Sequence, residues 1–272
     1  MTDTRPLVFS IPEPRSLELI FEPEALAAFR KHYRVVEGAG EAGLAQLSQC
    51  IGDVDFILGQ PPLTAALLKR ASRLKAILNV ESNFLDNMDY DTCFARGIHV
   101  LSTGKVFAQP VAEIGLGLAL ALERNIVGAD RDFRAGTELW GGDGNAGARL
   151  MMGGEIGIIG FGDLGRALNR LSAGFRATVR AHDPWLPASL LKEAGVEPAT
   201  LETVLTRSTV IFVVAGVTTE NGGFLGAAEF AKMRRGTSFI LLSRAGVVDF
   251  DALMAAIGAF GFGLVQDRLG SV

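Results

Sequence analysis

The six residues Gly160-Phe161-Gly162-Asp163-Leu164-Gly165 carry the spacing G-x-G-x-x-G, which suits recognition of a pyrophosphate. The first glycine of that pattern makes a tight turn, the second lets phosphate approach the backbone, and the third lets a helix pack closely on a strand. The phosphates then rest on free N–H groups at the positive end of the helix dipole. Gly160, Gly162, Asp163, Leu164 and Gly165 are therefore expected to bind a dinucleotide. The pattern is weak alone, but EIGIIG (155–160) before it reads as a strand and GDLGRALNRLSAGF as a helix. A second strand, ATVRAHD (177–183), ends in Asp183, 18 residues past Gly165. That is close to the spacing at which a carboxylate accepts from the adenosine ribose hydroxyls. A carboxylate there repels the 2′-phosphate of NADP, so NAD is the expected cofactor. Arg180 and His182 are neighbours, yet strand alternation need not aim either at that phosphate.

Other chemistry-bearing residues are sparse. Of the three histidines, His182 neighbours the adenosine acid, His99 falls in a strand and His32 on a polar helix face; each reads as structural or solvated. Cys50 and Cys93 form no disulfide framework or metal cluster and fit a reducing, cytoplasmic setting. No metal site is expected, and no Ser-His-Asp order or carboxylate pair stands out.

The elements that must hold the glycine loop fall into two halves. In the first, LELIF (17–21), RVVEG (34–38), DFILG (55–59), LKAIL (74–78) and IHVLS (98–102) read as strands, with helical patterns between them. Strands alternating with helices of this length predict a parallel sheet covered on both faces. Segment 106–124 reads as a long buried helix with Pro110 in its first turn, and 138–154 as an exposed, glycine-rich connection. The alternation restarts at 155 and continues through STVIFVVAG (208–216), AAEFAKMR, TSFILLS (237–243), VDFDALMAAI (248–257) and a final strand in FGLVQD (262–267). The expected fold is α/β with parallel sheets: a first domain over 1–105 and a Rossmann-type NAD-binding domain over 106–272.

Composition agrees with a globular chain. Hydrophobic residues make up 49% and charged residues 21% of 272, enough apolar material for a sizeable core. A net charge of -4 gives no footprint for nucleic acid. The N-terminus lacks the basic-then-apolar order of a secretory signal. The apolar run IGLGLALAL (114–122) is about half a membrane span, so no membrane partner is expected.

The order of these motifs resembles the D-isomer-specific 2-hydroxyacid dehydrogenases from about residue 55 to about 267. LKAILNVESNFLDNMDYDTCFARGIHVLS resembles that family's strand, tight loop and Asn-x-Asp leading into "rGIxV"; Val111-Ala112-Glu113 resembles the start of its interdomain helix. GGEIGIIGFGDLGRAL followed by HDPW resembles its cofactor motif, and MRRGTSFILLSRAGVVDFDAL its strand ending in arginine before a helix that opens with Val-Asp. The resemblance implies a flavodoxin-like substrate (lid) domain beside the NAD-binding domain, with the active site in the cleft. It implies hydride transfer between NAD and C2 of a small 2-hydroxy or 2-keto acid, and a homodimer formed through the NAD-binding domain. Arg244 matches the catalytic substrate arginine, whose guanidinium forks onto a carboxylate in two parallel hydrogen bonds. Thr218 matches a threonine of the nucleotide-side loop, and Asp267 the aspartate that holds the nicotinamide carboxamide.

Three departures qualify the match. Val214 and Gly216 stand where the family has His and Pro. The substrate loop, usually Gly-x-Gly, reads Glu81-Ser82-Asn83-Phe84, so Ser82 and Asn83 are the expected substrate contacts there. The family's catalytic Glu and His follow the Asp267 position, whereas residues 268–272 read RLGSV; the chain is read as C-terminally truncated relative to the family. The missing His is the family's proton-transfer agent and the Glu its orienting partner. That keeps two alternatives open: a non-catalytic NAD-binding sensor or corepressor-like protein, and a truncated, inactive product. An NAD-dependent enzyme on formate or phosphite would differ only in pocket residues.

Overall fold

The computed structural model describes residues 3–80, 84–217, 221–260 and 263–266. Among them the chain divides into two compact units, Met1–Gly104 and Lys105–Val272.

The first unit is built on five parallel strands: β1 (Leu7–Ile11), β2 (Arg34–Glu37), β3 (Phe56–Gly59), β4 (Ala76–Asn79) and β5 (His99–Ser102), in the order β2-β1-β3-β4-β5. Side chains alternate across a strand, so Leu7, Phe9 and Ile11 enter one apolar cluster with Ile57 and Ile77. Val8 and Leu58 enter another on the opposite face with Leu17 and Leu26. Every residue of β1 is buried, the signature of a parallel strand covered on both sides. Two of this unit's helices start where a side chain satisfies a free N–H: Thr64 accepts from Leu67 N at 3.3 Å and Asp89 from Thr92 N at 2.7 Å.

Two expectations for this region are corrected. Leu17–Ile20 is a helical turn, not a strand, and the first strand is Leu7–Ile11. Leu17, Ile20 and Phe21 have the i, i+3, i+4 spacing of one helix face, with Leu17 buried and Leu19 75% exposed; the length of a short apolar run does not separate helix from strand.

The second unit holds six parallel strands: β6 (Glu155–Ile159), β7 (Thr178–His182), β8 (Glu197–Pro198), β9 (Val210–Val213), β10 (Ser238–Leu241) and β11 (Gly263–Gln266), in the order β11-β10-β9-β6-β7-β8. The chain leaves β6 to one side through β7 and β8, then returns to pair β9 on the other side of β6. This reversal makes a topological switch point between β6 and β9, where open α/β sheets bind ligands. Ile156, Ile158, Val210 and Phe212 fill the core on one face; Ile159, Ile211, Val213 and Phe239 fill it on the other.

The helix Gly104–Glu123 supplies Ala108, Ala112 and Ala119 to the first of these cores. It is long and apolar enough, by length and composition, to cross a membrane. Pro110 is the seventh residue of that helix, not a first-turn residue as expected. The carbonyl that loses its donor belongs to Val106, itself 68% exposed. At the helix end Glu123 is 2% exposed, accepts from Arg149 at 2.6 Å and from Ser238 Oγ at 2.6 Å, and so ties the helix to the start of β10. The glycine-rich connection is exposed throughout 139–147, with one short helix at Gly141–Gly144.

Candidate functional site

Three glycines of the loop after β6 each have a separate physical reason. Gly160 has φ +91, a conformation side chains rarely adopt, and a Cβ on it would lie 2.7 Å from the backbone of Ala215. Ala215 follows β9, so this glycine lets the two arms of the switch point touch. Gly165 lies inside the helix Asp163–Ser172, and a Cβ there would lie 2.5 Å from Gly160 O. Gly162 differs from both: a Cβ there would meet no protein atom within 4 Å. The fold does not need a glycine at 162; it leaves open space, which is what a ligand's phosphates require. Asp163, Leu164 and Gly165 form the first turn behind Gly162, where helix geometry leaves N–H groups without intrahelical acceptors.

A cavity of about 390 Å³ opens at this turn. Gly160 and Gly162 line it from β6, His182, Asp183 and Trp185 from β7, and Val214, Ala215 and Gly216 from β9, with Asn221 and Phe224 beyond. Asp183 is fixed firmly. Its Oδ2 accepts from Phe161 N at 2.7 Å, and its Oδ1 accepts from Trp185 N at 2.9 Å and Leu186 N at 3.2 Å. Three donors on a carboxylate with about four lone-pair sites leave room for a hydroxyl. The same bonds clamp the glycine loop to the end of β7, a structural duty that spacing did not reveal.

The basic side chains next to Asp183, Arg180 and His182, already have partners. Arg180 pairs with Glu155 and, at 2.8 Å, with Glu197. His182 Nδ1 lies 3.2 Å from Ala199 O, which accepts from it in the tautomer protonated at Nδ1. His32 Nδ1 sits 2.7 Å from Ala28 O on its own helix, and His99 is an exposed residue at the start of β5.

Arg244 follows β10 at its carboxyl end, half-buried, and caps the short turn Ala245–Val247. Its neighbours bind this segment to the cavity wall: Ser243 Oγ donates to Ala215 O at 2.8 Å, Gly223 N donates to Gly246 O at 2.7 Å, and Leu225 bridges Val248. Gly115 of the long helix makes room for Leu242; a Cβ there would come within 2.5 Å of it. Asn221 Nδ2 donates to Gly216 O at 2.7 Å and steadies the loop after β9. Sequence reasoning missed Ser243, Asn221, Phe224 and Trp185; the Trp of HDPW and the Ser before Arg244 sat within quoted motifs and had a signal, whereas Asn221 and Phe224 had none. Ser82, Asn83, Thr218 and Asp267 lie outside the described residues. Among the described residues no group of three metal-binding side chains occurs, and Cys50 and Cys93 are free thiols.

The loop and cavity fit a dinucleotide. Space stands open at Gly162, helix N–H groups lie behind it, and an anchored carboxylate sits at the end of the next strand.

Comparison with known proteins agrees. Residues 116–261, more than half of the chain, match the D-isomer specific 2-hydroxyacid dehydrogenase, NAD binding domain. A solved phosphoglycerate oxidoreductase from Rhizobium etli is 59% identical, with a TM-score of 0.80 over 98% of this chain and 82% of its own. D-3-phosphoglycerate dehydrogenase of Mycobacterium tuberculosis is 30% identical over 214 residues, 78% of this chain but 40% of its own length. Hydroxypyruvate reductase of Thermotoga maritima is 30% identical over 76% of this chain and 66% of its own. The chain thus spans well under half the length of the first of these curated relatives. With its Rossmann-type sheet and glycine turn, the chain belongs to the D-isomer specific 2-hydroxyacid dehydrogenase family, and its cofactor is NAD.

Proposed function

We propose that this chain serves a 2-hydroxyacid dehydrogenase reaction, with residues 106–272 binding NAD and residues 1–105 facing the substrate. The observation that carries the reading is the glycine turn at the switch point, with open space at Gly162, in a chain 59% identical to a phosphoglycerate oxidoreductase. NAD, when bound, supplies or accepts the hydride. The chain's own residues do the rest. Gly162 and the helix N–H groups of Asp163–Gly165 hold the pyrophosphate, and Asp183 accepts from a ribose hydroxyl. The like charge of Asp183 disfavours a 2′-phosphate, and Arg180, neutralised by two glutamates, offers it no counter-charge. Arg244 forks onto the substrate carboxylate and orients C2; Ser82, Asn83, Thr218 and Asp267 remain contacts proposed from the family resemblance.

The test is a panel of 2-keto acids, phosphorylated and plain, monitored by NADH oxidation, with NADH binding measured in parallel. Turnover that falls at least about tenfold in Arg244→Lys supports the carboxylate fork, because a point charge cannot reproduce two parallel hydrogen bonds. Tight NADH binding with no turnover on any acid would favour the sensor reading instead.

The proposed partner is a second copy, through the NAD-binding unit. The helix Ile126–Ala135 has no buried residue, and Ile126, Val127 and Phe133 on it are 53%, 71% and 64% exposed. Leu139 and Trp140, next in the chain, are also exposed, at 68% and 76%, and exposed apolar residues in such numbers support an interface. Phe133→Asp is expected to shift a dimer to monomer by light scattering. A reducing, cytoplasmic setting suits the two thiols, both raised above their ordinary pKa by burial.

A further inference from the structure

A groove of about 570 Å³ lies in the first unit at the amino ends of β3, β4 and β5. Parallel pairing brings this about: Phe56 pairs Ala76 and Ala76 pairs His99, so the residues just before these strands meet at one level. Lys75 N donates to Asp55 O and His99 N to Lys75 O, both at 2.9 Å. Asp55, Arg73, Lys75, Arg96 and His99 therefore converge although they span 45 positions.

The cations there are held in place. The Asp55 carboxylate, 3% exposed, accepts from Leu7 N at 2.9 Å, from Arg73 Nη2 at 3.1 Å and from Lys75 Nζ at 3.3 Å. Lys75 Nζ also stands 5.7 Å from the centre of the Phe56 ring. The Arg96 guanidinium donates to the carbonyls of Leu68 and, at 2.8 Å, Ala71. Gly97, at φ +70, turns the chain beside it with no side chain in the way. Two of these cations are well over half exposed, Arg73 at 58% and Lys75 at 63%, and a guanidinium has five N–H donors. Three cations against one carboxylate leave a net positive groove on a chain whose overall charge is -4.

We infer that this groove binds a small oxyanion of the phosphate class, through Arg73, Lys75 and Arg96. Ionised donors converging on one open volume make short, strong bonds to phosphate oxygens. Asp55 acts as a positioning residue: it engages Nη2 of Arg73 and one N–H of the Lys75 ammonium, leaving their other N–H donors for the oxyanion. The site lies at the strand ends opposite those that carry ligands in open α/β sheets, and it shares no lining residue with the nucleotide turn.

Calorimetric titration with inorganic phosphate at low ionic strength tests it, since exposed charges are screened within about 10 Å at 0.1 M salt. The unaltered chain is expected to bind phosphate, and Lys75→Gln to weaken binding about tenfold, as expected for one charge-assisted bond. His99→Glu, which touches none of the Asp55 bonds, puts a negative charge at the rim and is expected to weaken it also. Gly162→Val is expected to leave phosphate affinity within about twofold, because Gly162 is not among the residues lining the groove. Glycerol 3-phosphate separates the sources: tighter binding than phosphate assigns the groove to a phosphorylated metabolite, equal or weaker binding to the free ion. Either result upholds the site if Lys75→Gln and His99→Glu lose it. No binding by the unaltered chain, or binding lost in Gly162→Val and kept in both groove variants, would overturn the inference.

Discussion

The nucleotide turn of the second unit and the basic groove of the first are opposite solutions to recognising an anion. The turn uses backbone: glycines clear space and a helix end presents N–H groups. The groove uses side-chain charge, three cations fixed by one buried carboxylate and two carbonyls at the end of a helix. A backbone site depends on the absence of side chains at a few consecutive positions. A side-chain site depends on strand register bringing distant residues level. The first therefore breaks when atoms are added, the second when charges are removed.

The largest effect that would sharpen this contrast is expected at the glycines, split by kind. Gly162→Val should weaken NADH binding at least a hundredfold by calorimetry, about 2.7 kcal/mol, and shift the denaturant midpoint little, because the new Cβ meets no protein atom. Gly165→Ala should instead cost about 1–3 kcal/mol of folding stability, since its Cβ meets Gly160 O at 2.5 Å. Equal stability losses in the two variants would break the distinction between a glycine kept for the ligand and one kept for packing.

Asp183 comes next, as a charge embedded in the backbone site. Asp183→Asn keeps an acceptor for the loop but removes the charge that disfavours a 2′-phosphate. The ratio of NADP to NAD dissociation constants is expected to fall about tenfold; an unchanged ratio would mean that shape, not charge, sets the choice.

The smallest effect concerns Asp55 and pH. Burial pushes its carboxyl up, but the Leu7 N–H, Lys75 and Arg73 together outweigh burial and hold it below the ordinary value. A depressed folded pKa stabilises the fold above the unfolded value, 3.8 here, and that contribution is lost as pH falls through the lower folded value. Acid unfolding midpoints should therefore differ between the unaltered chain and Asp55→Asn, with the variant losing less stability between pH 5 and pH 2, a range estimated from this linkage. Parallel stability curves over that range would remove Asp55 from its positioning role.

Much of the second unit was legible because its signals are local. The strand, glycine turn and helix at 155–172 lie in one continuous segment, and the third glycine's packing role follows from its position alone. Asp183 was legible as an acid at the right spacing, but not as the clamp on Phe161 N, Trp185 N and Leu186 N. LVFSI at Leu7–Ile11 and LELIF at 17–21 are both short apolar runs, and burial on two faces, which makes the first a strand and leaves the second a helical turn, is a tertiary property. Local preference puts Pro110 at a helix start, whereas the helix runs through it with Ala112 and Ala119 packed in the core.

The sequence by itself determined that this chain has parallel α/β sheets, a dinucleotide turn at Gly160–Gly165 and an acid at 183, because periodicity, glycine spacing and a strand end are written over a few adjacent residues. Only the tertiary structure decided that Ala215 forces the glycine at 160, that Ser243 ties the Arg244 segment to the nucleotide loop, and that Arg73, Lys75 and Arg96 share one groove with Asp55. The physical reason is that each of these contacts joins residues on different strands or loops. Strand order and register set which of them meet, and those are fixed by the packing of two sheet faces rather than by any local run of residues.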